Sequence, residues 1–66
     1  MDWSEYVASR AEGRNQEEIA LRVGVSQSSI SRWKAGEGKP SAESVMRFAR
    51  AVGDSPIVGL LAAGFL

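Results

Sequence analysis

The chain reads as an all-α protein of five short helices, and three observations predict it. Apolar residues recur at helical spacing, most plainly Val45, Phe48, Ala49 and Val52 at i, i+3, i+4 and i+7. Residues suited to capping a helix (Asp2, Asn15, Ser26, Ser41, Ser55) stand before these stretches, and glycines (Gly13, Gly24, Gly36, Gly53) follow the first four. Finally, the segment Gln16 to Ala35, QEEIALRVGVSQSSISRWKA, has the pattern of two short helices joined by a tight turn.

The first helix is expected from about Trp3 to Glu12, capped by Asp2, with Glu5 placed to complete a capping box. Trp3, Tyr6 and Val7 form its inward stripe, with Ala11 one turn on, and Gly13 ends it. Asn15 caps the second helix, where Glu17 and Glu18 occupy a first turn that favours negative charge. Ile19, Ala20 and Val23 are its apolar side, and Gly24 stops it by accepting the left-handed backbone of a sharp turn. Val25 fills the angle between the helices. Ser26 caps the third helix, expected from about Gln27 to Ala35 with Ile30 and Trp33 turned inward. The loop Gly36-Glu37-Gly38-Lys39-Pro40 leads to Ser41, which caps the fourth helix with Glu43 or Ser44 in its first turn. Pro56 opens the fifth at the position where its missing N–H costs nothing. This last stretch, Pro56 to Leu66, has no charged residue. Ile57, Leu60 and Leu61 lie on one face, and Val58, Ala62 and Phe65 on another. A helix apolar all round calls for burial on more than one side, so a partner is expected at Val58, Leu61 and Phe65. Leu61, between the two faces, is expected to touch both core and partner.

With 66 residues the chain has room for one domain, 1–66, near the low end for an unstapled core. It lacks cysteine, which excludes disulfides and thiolate metal sites, and histidine, the commonest metal ligand and general base. No cofactor or metal is expected. Enzyme chemistry has little support: there is no phosphate-cradling glycine loop, no acidic metal cluster and no base to activate a serine. Glu17-Glu18 is a helix-start pair, not a catalytic dyad. No apolar run reaches the roughly 18 to 20 residues of a membrane span. The opening MDWSEY has none of the basic and apolar regions of a signal peptide. A cytoplasmic place is expected.

Net charge is zero, unlike the basic balance common in nucleic-acid binders. Its distribution matters more. Between Arg14 and Lys39 there are five bases (Arg14, Arg22, Arg32, Lys34, Lys39) against three acids (Glu17, Glu18, Glu37), a local net of +2. The remainder carries the compensating −2, giving one modestly positive face.

The outward side of the third helix presents Gln27, Ser28, Ser31 and Arg32, which have little bulk and many hydrogen-bonding groups. Such a face packs poorly but suits the major groove of DNA, where amide and guanidinium groups pair with base edges. Gln27 has the amide that meets adenine's acceptor and donor together. Two outward serines on a helix need a reason, since serine is a poor interior helix former, and close approach to DNA supplies one. Ser29 turns about 100° from Ser28, away from base contact. Ser26 is first a cap, with a hydroxyl and N–H that also suit phosphate. Trp33 is read as core.

These features resemble the helix-turn-helix of phage repressor and Cro proteins, the lambda-repressor-like or XRE family. The resemblance covers roughly residues 15 to 56. It rests on Gln16 opening the second helix, Ala20 at the helix contact, Gly24 in the turn, and apolar residues at Ile19, Val23, Val25, Ile30 and Trp33. GEGKPS before an amphipathic helix and the junction Gly53-Asp54-Ser55-Pro56 complete it. The resemblance implies that Gln16 bonds a phosphate and braces the first recognition side chain, here Gln27. It implies backbone contacts near Lys39, and Arg14 is a similar candidate. An acidic residue that pairs with a base in the first helix is frequent in the family where Lys34 stands. With the sign reversed, Lys34 is expected to pair with Glu12 or Glu5 or to face phosphate.

The function so implied is sequence-specific binding of double-stranded DNA, as a bacterial or bacteriophage repressor acting as a homodimer on a palindromic operator. A second class of function is a protein-interaction module, antitoxin-like or co-regulatory, that docks through the apolar fifth helix. A third reading is a DNA-binding piece of a longer repressor, which the end at Phe65-Leu66 without a polar tail motivates. Gel shift of labelled duplex at low salt separates the first two.

Overall fold

The computed structural model describes residues 2–66. Among them five α-helices and no strand occur: α1 (Trp3–Ala11), α2 (Gln16–Val23), α3 (Gln27–Lys34), α4 (Ala42–Ala51) and α5 (Pro56–Ala62). Each of the five expected caps accepts a backbone N–H. Asp2 takes that of Glu5 at 2.9 Å, Asn15 that of Glu18 at 3.2 Å, and Ser26 that of Ser29 at 3.2 Å. Ser41 takes that of Ser44 at 3.1 Å and Ser55 that of Ile57 at 3.3 Å. A cap of this kind typically contributes about 1 kcal/mol, which matters where helices are only two or three turns long.

The helices share one core. α4 packs on α2 and α5, α1 on α3 and α5, and α2 on α3. Tyr6, Val7, Ile30, Val45 and Phe48 are completely buried. Trp3 and Phe48 meet edge to face with centroids 5.4 Å apart, and Trp3 meets Trp33 likewise at 5.5 Å. Edge-to-face pairs of this kind contribute about 0.5–1.5 kcal/mol beyond the area they bury. Trp33 is therefore a core residue on the inner side of α3, as expected.

α2 ends where Gly24 adopts φ +84°, and the N–H of Val25 returns to the Ala20 carbonyl at 3.0 Å. That closure fixes the angle between α2 and α3, with Val25 half-buried in the corner. A side chain at position 24 would be strained by the backbone and would also place a Cβ 3.3 Å from Arg47 Nη1.

The structure corrects the reading of the fifth helix in two respects. First, α5 stops at Ala62 rather than running to Leu66. Gly64 turns left-handed, with its N–H on the Leu61 carbonyl at 3.2 Å and the Phe65 N–H on the Leu60 carbonyl at 2.9 Å, a Schellman closure. Second, the buried residue of α5 is Gly59, with Leu60, Ala62 and Ala63 partly buried against the core. Leu61 does not reach the core and stays 57% exposed. The reason is a close approach. A Cβ on Gly59 would lie 3.1 Å from Ala49 Cβ, Val45 Cγ1 and the Val45 carbonyl oxygen. The side of α5 that meets α4 is centred on Gly59, so Leu60 is only partly buried and Ile57, Val58 and Leu61 face out.

One polar clamp was not visible in the sequence. The Tyr6 hydroxyl donates to Asp54 Oδ2 at 2.8 Å, and Arg10 Nε donates to the same oxygen at 2.6 Å. The Arg10 guanidinium lies 5.2 Å from the centroid of the Tyr6 ring. This clamp ties α1 to the junction between α4 and α5. Hydrogen bonds from Arg10 and then Tyr6 hold the Asp54 carboxyl below the usual carboxylate range. Burial, followed by the bond to Asp54, pushes the Tyr6 phenol well above its ordinary value.

Candidate nucleic-acid interface

α3 is held from behind by Ile30 and Trp33, which leaves Gln27, Ser28, Ser31 and Arg32 exposed on the other side. Its N-terminus is shaped by Ser26. This residue accepts the Ser29 N–H, and the two hydroxyls stand 3.3 Å apart. Arg32 Nη2 donates to the Ser29 hydroxyl at 3.5 Å and has no carboxylate partner among the described residues. Ser29 is half-buried and belongs to the cap, consistent with its reading as a side-facing residue.

Gln16 reaches across from α2. Its Nε2 donates to the Ser31 hydroxyl at 3.0 Å and to the Gln27 backbone carbonyl at 3.4 Å. The expected brace onto the Gln27 side chain is thus replaced by one onto Ser31 and the helix backbone. Gln27 keeps its amide free of bonds among the described residues. Lys34 corrects one of the two alternatives expected of it, the ion pair. Its ammonium forms no ion pair with Glu5 or Glu12 but donates to Gln16 Oε1 at 3.2 Å. The base of α1, Arg10, pairs instead with Asp54. Lys34 lies at the end of α3 whose carbonyl accepts the Ser4 hydroxyl at 2.7 Å, and that bond fixes the last turn of α3 to α1.

The structure therefore brings Gln16, Gln27, Ser31 and Lys34 into one network and Ser26, Ser29 and Arg32 into another. Ser28 stands exposed beside them. Arg14 is not part of either network. Its Nη2 donates to the Val52 carbonyl at 3.3 Å, and it shares a cleft of about 220 Å³ with Asn15, Glu18, Ile19, Arg22 and Ala51. Lys39 is exposed in the α3–α4 loop, at a second cleft of about 230 Å³ walled by Trp3, Trp33 and Pro40. Val58 and Leu61 line a third cleft of about 270 Å³ with Tyr6, Arg10 and Ala62, and Phe65 is exposed beyond the end of α5.

Sequence reasoning missed Tyr6, Arg10 and Asp54 as a unit, because 44 or more residues separate Asp54 from its two partners. It also missed Ser4. Serine on an exposed first turn has no local signature of a bond to a helix 30 residues away.

Among the described residues no group of three or more acidic, histidine or cysteine side chains is placed to hold a metal ion. No helix is long and apolar enough to cross a membrane.

An all-α domain whose second and third helices form a capped helix-turn-helix, with a polar outer face on the third, belongs to a known class of DNA-binding protein. The model of the helix-turn-helix family matches residues 10–60. The chain is a member of that family, of the XRE or lambda-repressor-like type, and so a DNA-binding transcription regulator. Such regulators act on double-stranded DNA and are typically not enzymes. No curated protein and no solved structure matches the chain.

Proposed function

We propose that the chain, as a single domain, is a sequence-specific repressor of bacterial or phage type, working in the cytoplasm as a homodimer on a palindromic operator. The exposed, hydrogen-bonding outer face of α3, held in a fixed pose by Gln16, carries this reading. Gln27, Ser28, Ser31 and Arg32 meet base edges in the major groove. Gln16, Arg14, Ser26, Lys34 and Lys39 meet the sugar-phosphate backbone and set the register. Two copies place their recognition helices about one helical turn, roughly 34 Å, apart, and occupancy of a promoter excludes polymerase.

Exposed Val58, Leu61 and Phe65 support a seam on α5 for the second copy, whose two-fold symmetry matches a palindrome. The same exposed hydrocarbon supports the alternative of a docking module for another protein, such as a toxin or second regulator.

Selection of bound duplexes from a random pool, followed by sequencing, tests both readings. The expected result is one enriched palindrome. Against it, Gln27→Ala weakens binding by about 1–3 kcal/mol, the worth of a bidentate base contact, and leaves binding to random duplex nearly unchanged. Equal loss on both duplexes moves Gln27 to the backbone-contact group. No enrichment and no gel shift at low salt favours the docking module.

A further inference from the structure

The Lys34 ammonium stands 3.2 Å from Gln16 Oε1. An ammonium carries three donors and no acceptor, so it admits only the oxygen of the amide on its side. The NH2 of Gln16 is thereby turned the other way, onto the Ser31 hydroxyl at 3.0 Å and the Gln27 carbonyl at 3.4 Å. Ser31 accepts that bond with one lone pair, and its own O–H donates to no group among the described residues. Ser31 is exposed on the outer face of α3. The backbone of Lys34 is fixed as well, since its carbonyl accepts the Ser4 hydroxyl at 2.7 Å.

We propose that Lys34 is a positioning residue that sets the direction of the Gln16 amide and through it presents the Ser31 hydroxyl as a donor to DNA. The base facing Ser31 is then selected for a major-groove acceptor, guanine O6 or N7, adenine N7 or thymine O4, over the cytosine amino group. This rests on the reading of α3 as the recognition helix. It adds a specificity determinant that touches no base itself.

The test is duplex selection with the full chain and four variants, Ser31→Ala, Lys34→Met, Lys34→Arg and Lys34→Glu. Circular dichroism and thermal melting verify the fold of each. The position read by Ser31 is the one at which Ser31→Ala flattens the base preference. There the native chain is expected to disfavour cytosine by about two- to tenfold, the span of one hydrogen bond. Lys34→Arg, another pure donor, keeps that preference, and Lys34→Met loses most of it while other positions are unchanged. Lys34→Glu reverses it. Its carboxylate draws the NH2 of Gln16 to itself and turns Oε1 onto Ser31, whose proton is then consumed and whose lone pairs face the base.

An unaltered preference in Lys34→Met overturns the proposal. So does a Ser31→Ala variant that weakens all duplexes equally, which makes Ser31 a phosphate contact. A native chain that enriches no sequence at all overturns the repressor reading beneath it, an outcome distinct from both.

Discussion

The outer faces of α3 and α5 are both open to solvent, but they are ordered by different means. On α3, exposed polar side chains are held by one another: Gln16 by Lys34, Ser31 by Gln16, Ser29 by Ser26. On α5 and just beyond it, Ile57, Val58, Leu61 and Phe65 are exposed hydrocarbon with nothing directional to fix them, and the close seam at Gly59 with the packing of Leu60, Ala62 and Ala63 places them. A face that reads hydrogen-bonding patterns needs donors and acceptors aimed in advance. A face that associates through hydrocarbon needs only area, since the hydrophobic effect has no direction.

The largest effect that can break this contrast comes from filling the seam. Gly59→Leu forces α5 away from α4, and the expected loss is about 1–3 kcal/mol of stability in chemical denaturation. Because Val45 contributes a backbone oxygen at 3.1 Å, little relaxation is available. By comparison, Gln27→Ala on the α3 face is expected to stay within about 0.5 kcal/mol. Equal stability for the two variants would mean that α5 is not fixed by close approach.

A smaller effect is expected at the clamp that ties the α4–α5 junction to α1. The folded pKa of Asp54 is below its unfolded value of about 3.9, so its contribution is complete above that pH and is lost as pH falls through the folded value. The Tyr6 phenol has the opposite sign. Its folded pKa is above the unfolded value of about 10, so stability is retained below that pH and declines as pH rises towards the folded value. Melting temperature against pH should therefore fall on both limbs. Asp54→Asn should lower it by a few degrees at neutral pH and flatten the acid limb. An acid limb of undiminished slope in that variant would assign the acid loss to other carboxylates.

The smallest effect on folding is expected at the rim. Phe65→Asp should leave the monomer's circular dichroism and melting within about 0.5 kcal/mol of the parent, because Phe65 is 44% exposed. Sedimentation is where it should register, as weaker self-association if α5 is the dimer seam. An unfolded variant would make Phe65 part of the core. Unchanged folding and association together would leave this face without a role in self-assembly.

The contrast also explains what was legible in the sequence. Caps, stripes and turn glycines are local, and they placed α1 to α4 to within a residue or so at each end. The α3 face was legible too, because Ile30 and Trp33 define the inside and leave the polar residues outside. α5 was legible as a helix but not in its orientation. Every residue there is apolar or glycine, so no polar stripe marks the outer side, and the deciding group is the absent side chain of Gly59. The Gln16–Lys34 bond and the Arg10–Asp54 pair were equally hidden. Charge and spacing named Lys34 as unusual, but only three-dimensional proximity shows which partner it takes.

Gly59 has a consequence for how this sequence can change over time. Because a missing side chain seats α5 against α4, Ile57, Val58, Leu61 and Phe65 stay 38–57% exposed and carry less of the fold than Gly59 does. They can be varied as a set, by drift or by an engineer, while the outer face of α3 stays as it is. Under the proposed function, choice of companion and choice of DNA site would be carried by separate stretches of sequence, each free to diversify without the other.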